Sequence, residues 1–196
     1  MFADGGSTMD TLAHERLGAV VDAMAGREPL PAAGAALAIA LSMAAALLVK
    51  AASAPRDGTA IDAAAQARAG RLRHDALRLA DEDGVAYRRV VAAKSAGGGE
   101  RMRHALEQAS EPPLAMAQIG LELARLAESL LDVVPLSLQG EVRAAAQMSC
   151  SATIAAADLV RIDVGDERDE RSRQAVLLAG DAGVLGQALA ARPLRG

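Results

Sequence analysis

The run "LPAAGAALAIALSMAAALLV", Leu30 to Val49, contains no charged residue. As a helix it would reach about 30 Å, the thickness of a bilayer's hydrocarbon core. A helix that is apolar on every side has two homes: a membrane, or the centre of a bundle whose other helices cover it. The composition and flanks of the run separate the two. Much of it is Ala and Gly, which contribute little to insertion, and neither end carries a Trp or Tyr belt or a basic cluster. The chain opens "MFADGGSTMD", without the basic n-region of a signal peptide. The expectation is a buried central helix in a soluble protein, with no membrane span.

The rest of the composition says what surrounds that helix. Of the 196 residues 52% are hydrophobic, mostly Ala, Leu and Val, while aromatic residues make up 1% and Trp is absent. A core of small side chains lets helices approach closely, and Ala has the highest helix propensity, whereas the β-branched and aromatic runs typical of strands are missing. The chain therefore reads as all-α, one helical bundle spanning residues 1–196. A net charge of -4, with Arg scattered among acids, argues against nucleic acid as a partner. The single cysteine, Cys150, has no partner for an internal disulfide and no neighbour at metal-ligand spacing, so a reducing cytoplasm is the natural compartment. It reads as a small buried side chain.

About seven helices follow from caps, breakers and periodicity. The first is amphipathic, within residues 7–26, with Ser7, Thr8 or Asp10 as caps and Gly26 as its stop. The uncharged run is the second, closed by the turn residues of "APRDGT". A long third helix runs from about Ile61 to Ala96 and ends at Gly97, Gly98 and Gly99. A short fourth occupies Glu100 to Ala109, and Pro112 and Pro113 mark the start of the fifth, which extends towards Pro135. The sixth covers roughly Glu141 to Val164, and the seventh follows from Asp166 to Ala191. The second and sixth are nearly free of large polar groups all round, more than one domain of this size can cover, so a homodimer is expected.

The third helix holds a polar group out of place. At about 100° per residue, Leu72, Ala76, Leu79, Asp83, Ala86 and Val90 fall close to one line. Asp83 is thus in the middle of an apolar stripe, while Asp81 projects to the opposite face and Lys94 returns to the Asp83 side. A carboxylate on a core-facing stripe is paired, hydrogen-bonded or protonated, because its desolvation is otherwise costly. Either Asp83 satisfies a neighbouring helix or Arg, or it serves a site.

The segments "VVDAMAGREPLPAAGAALAIAL", "LRHDALRLADEDGVAYRRVVAAK", "EPPLAMAQIGLELARLAE" and the Ala-rich helix ending "LVRIDV" occur in an order that resembles the cyclodeaminase/cyclohydrolase family. That family comprises the cyclodeaminase part of formiminotransferase-cyclodeaminase and stand-alone methenyltetrahydrofolate cyclohydrolases. The resemblance extends from about Leu12 to the seventh helix. It implies an all-helical homodimer that handles one-carbon units on tetrahydrofolate, with an activity of the stand-alone kind and no cofactor beyond the tetrahydrofolate derivative that is its substrate.

The resemblance also places sites. The family's Asp-x-Asp corresponds to Asp81 and Asp83, and its following basic residue to Lys94. Its substrate loop, a Pro with three glycines and a Ser, corresponds to Pro31, Ala32, Ala33, Gly34 and Ala35, where Pro31 and Gly34 match. Its Ser-Asp pair before the late helix falls on Gly140 and Glu141. Asp83 is then the acid/base or cation-stabilising carboxylate, with Glu141 as a partner or as a carboxylate favouring a helix N-terminus. Lys94 either meets the glutamate tail of folate or is a surface lysine. His14, His74 and His104 lie on separate helices with no spacing that makes a metal site.

Two functions remain open. One is a folate enzyme that hydrates the methenyl carbon of 5,10-methenyltetrahydrofolate or closes the ring of the 5-formimino compound with loss of ammonia. The other is a family member whose altered loop has ended catalysis, persisting as a helical dimer that binds a partner or ligand.

Overall fold

The computed structural model describes residues 16–54 and 62–193, all α-helical or in connecting turns, with no strand among them. Seven α-helices run α1 (Leu17–Met24), α2 (Ala33–Ala52), α3 (Ala63–Ser95), α4 (Glu100–Ala109), α5 (Glu111–Leu131), α6 (Gln139–Val164) and α7 (Glu170–Ala191), with one 3-10 turn at Leu136–Leu138. The expected helices are all present, with shifted ends. Residues 7–15 of the first, with its cap candidates and His14, and most of the "APRDGT" turn lie outside the described residues. The fifth helix starts at Glu111, because Pro112 and Pro113 fit its first turn, where no N–H is needed. The seventh starts later than expected, at Glu170. Gly165 ends α6 in the left-handed conformation, and Asp169 caps α7 by accepting from the Arg171 N–H at 2.8 Å.

Helix α2 is the centre. It packs on α3, α5 and α6, and Ala38, Leu41, Ala44, Ala45, Leu48, Ala51 and Ala52 are fully buried. Both α2 and α7 are long and apolar enough to cross a membrane, but half of α2 is covered by its neighbours, as a core helix is. Small residues set the helix spacing. A Cβ on Gly120 of α5 would collide with Thr153 Oγ1 of α6, and one on Gly186 of α7 would lie 3.3 Å from the Cys150 Cβ. Cys150 is buried between these helices and burial pushes its thiol pKa up.

Polar contacts show the helix directions. Lys50, near the C-terminus of α2, pairs with Glu141 at the start of α6 at 2.5 Å, so α2 and α6 are antiparallel. Arg143, also early in α6, donates to the carbonyl oxygens of Leu189 and Arg192 at the end of α7, so α7 is antiparallel to α6 as well. Arg171 at the start of α7 donates to the Glu107 carbonyl at 2.9 Å, tying α7 to the α4–α5 junction. The N-termini of α2, α5 and α7 and the C-terminus of α6 therefore share one end of the bundle.

Candidate functional site

At that end the chain enters α2 through a cis Leu30–Pro31 peptide bond, with Pro31 half-buried. Ala32 is the N-cap in extended geometry; its methyl offers no acceptor, and the first turn of α2 carries no acid. The first intrahelical bond is Ala36 N–H to Ala32 C=O at 3.2 Å. The amides before Ala36 therefore have no partner within the helix, and they form the positive end of a 20-residue dipole inside the bundle.

Asp83 faces this end. Its stripe on α3 is the one expected, with Leu72, Ala76, Leu79 and Ala86 buried and Asp83 half-buried among them. The carboxylate lies directly over Gly34, so that a Cβ built there would overlap both of its oxygens. Burial raises the pKa of Asp83 above the ordinary carboxylate range. Asp81 is on the other side of α3, where it lines a groove of about 460 Å³ with Arg78, Glu82 and residues of α4 and α5.

The loop substitutions acquire a physical meaning here. Glycine would be required at Ala32 or Ala33 if the backbone took positive φ, but among the described residues only glycines do so, at Gly97, Gly98, Gly99 and Gly165. Ala32 has φ -111° and ψ -165°, open to any residue. Gly34 is needed for a different reason, the space taken by Asp83. The glycine retained in the loop is the one that this contact demands.

The other expected site residues lie elsewhere. Glu141 is held by Lys50, whose hydrogen bond, together with that of its own backbone N–H, lowers its pKa. Lys50 is sixteen residues after Gly34, about 24 Å along α2 at the helical rise. Within one chain Glu141 and Asp83 are thus at opposite ends of the bundle, because α6 runs against α2. Lys94 is exposed near the end of α3, eleven residues past Asp83, about 16 Å along the axis. His74 and His104 are exposed on α3 and α4.

One residue that the sequence reading passed over belongs with Asp83. Asp163, in the last turn of α6, is half-buried, and its pKa rises to about 6 through burial and through the charge of Asp83. The helical spacing of α6 marks it in the sequence. Val142, Ser149 and Ala156 are buried at seven-residue intervals, and Asp163 is the next position in that series. Among the described residues, no hydrogen bond or ion pair engages either carboxylate. Two half-buried acids, unpaired among the described residues, can hold a cationic group and move a proton to or from it.

Comparison with known proteins agrees with this architecture. The family model described as formiminotransferase-cyclodeaminase matches residues 16–179. No curated protein matches the sequence. A crystal structure of formiminotetrahydrofolate cyclodeaminase from Thermotoga maritima superposes with a TM-score of 0.73 over 90% of this chain and 92% of that one, at 17% identity. At that identity the likeness is one of fold.

Proposed function

The chain belongs to the formiminotransferase-cyclodeaminase family, and from that premise we propose that it acts on a one-carbon derivative of tetrahydrofolate, as a formiminotetrahydrofolate cyclodeaminase or a methenyltetrahydrofolate cyclohydrolase. The observation that carries the reading is the Asp83 carboxylate, half-buried, unpaired among the described residues and seated over Gly34 at the start of α2. Both reactions pass through a cationic amidine whose carbon is already electrophilic, so a carboxylate that steadies the cation and accepts a proton suffices without a further cofactor. In the cyclohydrolase direction Asp83 takes a proton from the water that adds to the methenyl carbon. In the cyclodeaminase direction it takes the proton from the attacking N10 amine. Pro31 and Gly34 shape the loop beside it, and Lys94 is assigned to the glutamate tail. Glu141, engaged by Lys50 at the far end of α2, is given no part in the proton transfer of its own chain.

A homodimer in the cytoplasm is part of the same proposal. Ala36, Ala40, Met43 and Leu47 form an apolar line along α2 that the bundle leaves partly or fully uncovered, and Met43 is 44% exposed. A second copy is the simplest cover for it.

The test is direct. Purified protein is mixed with 5,10-methenyltetrahydrofolate and loss of its absorbance is followed against a control without protein; 5-formiminotetrahydrofolate is assayed in parallel for ammonia release. Acceleration of either supports the proposal. Acceleration of neither leaves the second reading, a folded dimer that binds without catalysis, which the altered Ala32–Ala35 loop favours.

A further inference from the structure

Proton transfer by Asp83 alone leaves Asp163 without a role. It lies two residues before the left-handed Gly165 that ends α6, on the stripe that α6 turns to the core. The Lys50–Glu141 pair fixes α6 antiparallel to α2, and this brings its last turn to the end of the bundle where Asp83 meets Gly34. We propose that Asp163 is the second carboxyl group of the site, paired with Asp83 so that the two can share one proton. This rests on the folate reading above and adds the acid that the reading lacks.

The surroundings leave the pair to itself. Helix α2 carries no charged side chain before Lys50. On α3 the nearest cation beyond Asp83, Arg88, reaches back towards Gly84, where a Cβ would lie 3.7 Å from its Nη1. Arg161 of α6 is engaged by Asp158 and Glu167, and Arg171 of α7 by Asp169. From α4 and α5 the titratable groups near this end are Glu107, which faces His104, and Glu111, in the groove beside Asp81. Among the described residues, no ion pair to either carboxylate offsets the two negative charges. Two carboxylates that share a poorly hydrated place do not both ionise readily. Asp83 ionises first, and its charge then holds the proton on Asp163 up to about pH 6.

A pair with one proton can take and give in one turnover. In ring closure the protonated formimino compound is attacked by N10. The N10–carbon bond forms, and the N10 proton passes to the ionised carboxylate. The protonated carboxyl then gives its proton to the leaving nitrogen as the carbon–nitrogen bond breaks. Ammonia departs, the positive charge stays on the methenyl ring, and the pair ends with one proton as it began.

Carboxyl ¹³C NMR titration of the full chain, in wild type, Asp83→Asn and Asp163→Asn, tests the pairing, and turnover of the two folates tests its use. Expected is an Asp163 titration that moves to lower pH in Asp83→Asn. In Asp163→Asn, turnover should fall about 10²-fold, the scale of a lost proton-transfer group, with a melting temperature that does not fall and an altered pH profile. An Asp163 titration indifferent to Asp83→Asn overturns the pair, as does wild-type turnover in Asp163→Asn. Wild-type protein that turns over neither folate overturns the function proposed above; the titrations then decide on the pair alone, a shifted Asp163 supporting it and an unshifted one ending it.

Discussion

The space that a side chain at Gly34 would need is filled by the carboxylate of Asp83. The first turn of the central helix and the one acid on the core stripe of α3 are fitted to each other, so a change in either is felt at the other. Gly34→Ala puts a methyl where the Asp83 carboxylate sits, so that the carboxylate must turn aside to admit it. The expected cost is about 1–3 kcal/mol, the scale of overpacking, with loss of any folate turnover. In an Asp83→Ala background the same substitution should cost clearly less, and a double-mutant cycle from urea unfolding measures the difference. Additive costs would show that the two residues do not contact in solution.

Asp83→Asn should leave the melting temperature unchanged or raise it, because burial already disfavours the charged form and an amide has no charge to desolvate. Folate turnover should fall at least about tenfold. Asp81→Asn, on the other side of α3, should retain turnover. Thermal melts and the absorbance assay, run on both variants, check this. A destabilised Asp83→Asn whose folded fraction handles folate normally would make Asp83 a structural acid.

The pH dependence of stability carries a sign. Asp163 has a pKa of about 6 in the folded chain, against an ordinary 3.8 when unfolded. Below pH 3.8 both states hold the proton and Asp163 adds no penalty. Between that and about pH 6 the folded state binds more protons than the unfolded one, so its stability falls as pH rises. Asp163→Asn should remove this fall. The gap between variant and wild type, measured by urea unfolding at successive pH values, should grow in favour of the variant from pH 4 to pH 6 and level off above. A gap that shrinks over that range contradicts the assignment.

The uncovered line on α2 predicts association. Sedimentation of the wild-type protein should show a dimer without detergent. Met43→Glu places a charge in the middle of the line, where burial against a second copy would be costly, and should shift the population to monomer while the helical circular dichroism stays the same. Monomeric wild type at all concentrations would leave the stripe without this role.

The sequence by itself determined what is local. The helices, their small-residue packing and the core position of α2 follow from propensity, breakers and periodicity, which act over a few turns. The place of Asp83 on its stripe follows in the same way, and Asp163 was legible by the identical argument in α6. Tertiary structure decided which of these residues meet. That Gly34 is kept for room and not for φ depends on where α3 crosses α2. That Glu141 lies far from Asp83 while Asp163 lies near depends on α6 running antiparallel to α2. A stripe on one helix records which way a side chain faces, but the distance between two stripes is set by the direction and register in which whole helices pack. Only the assembled core fixes those.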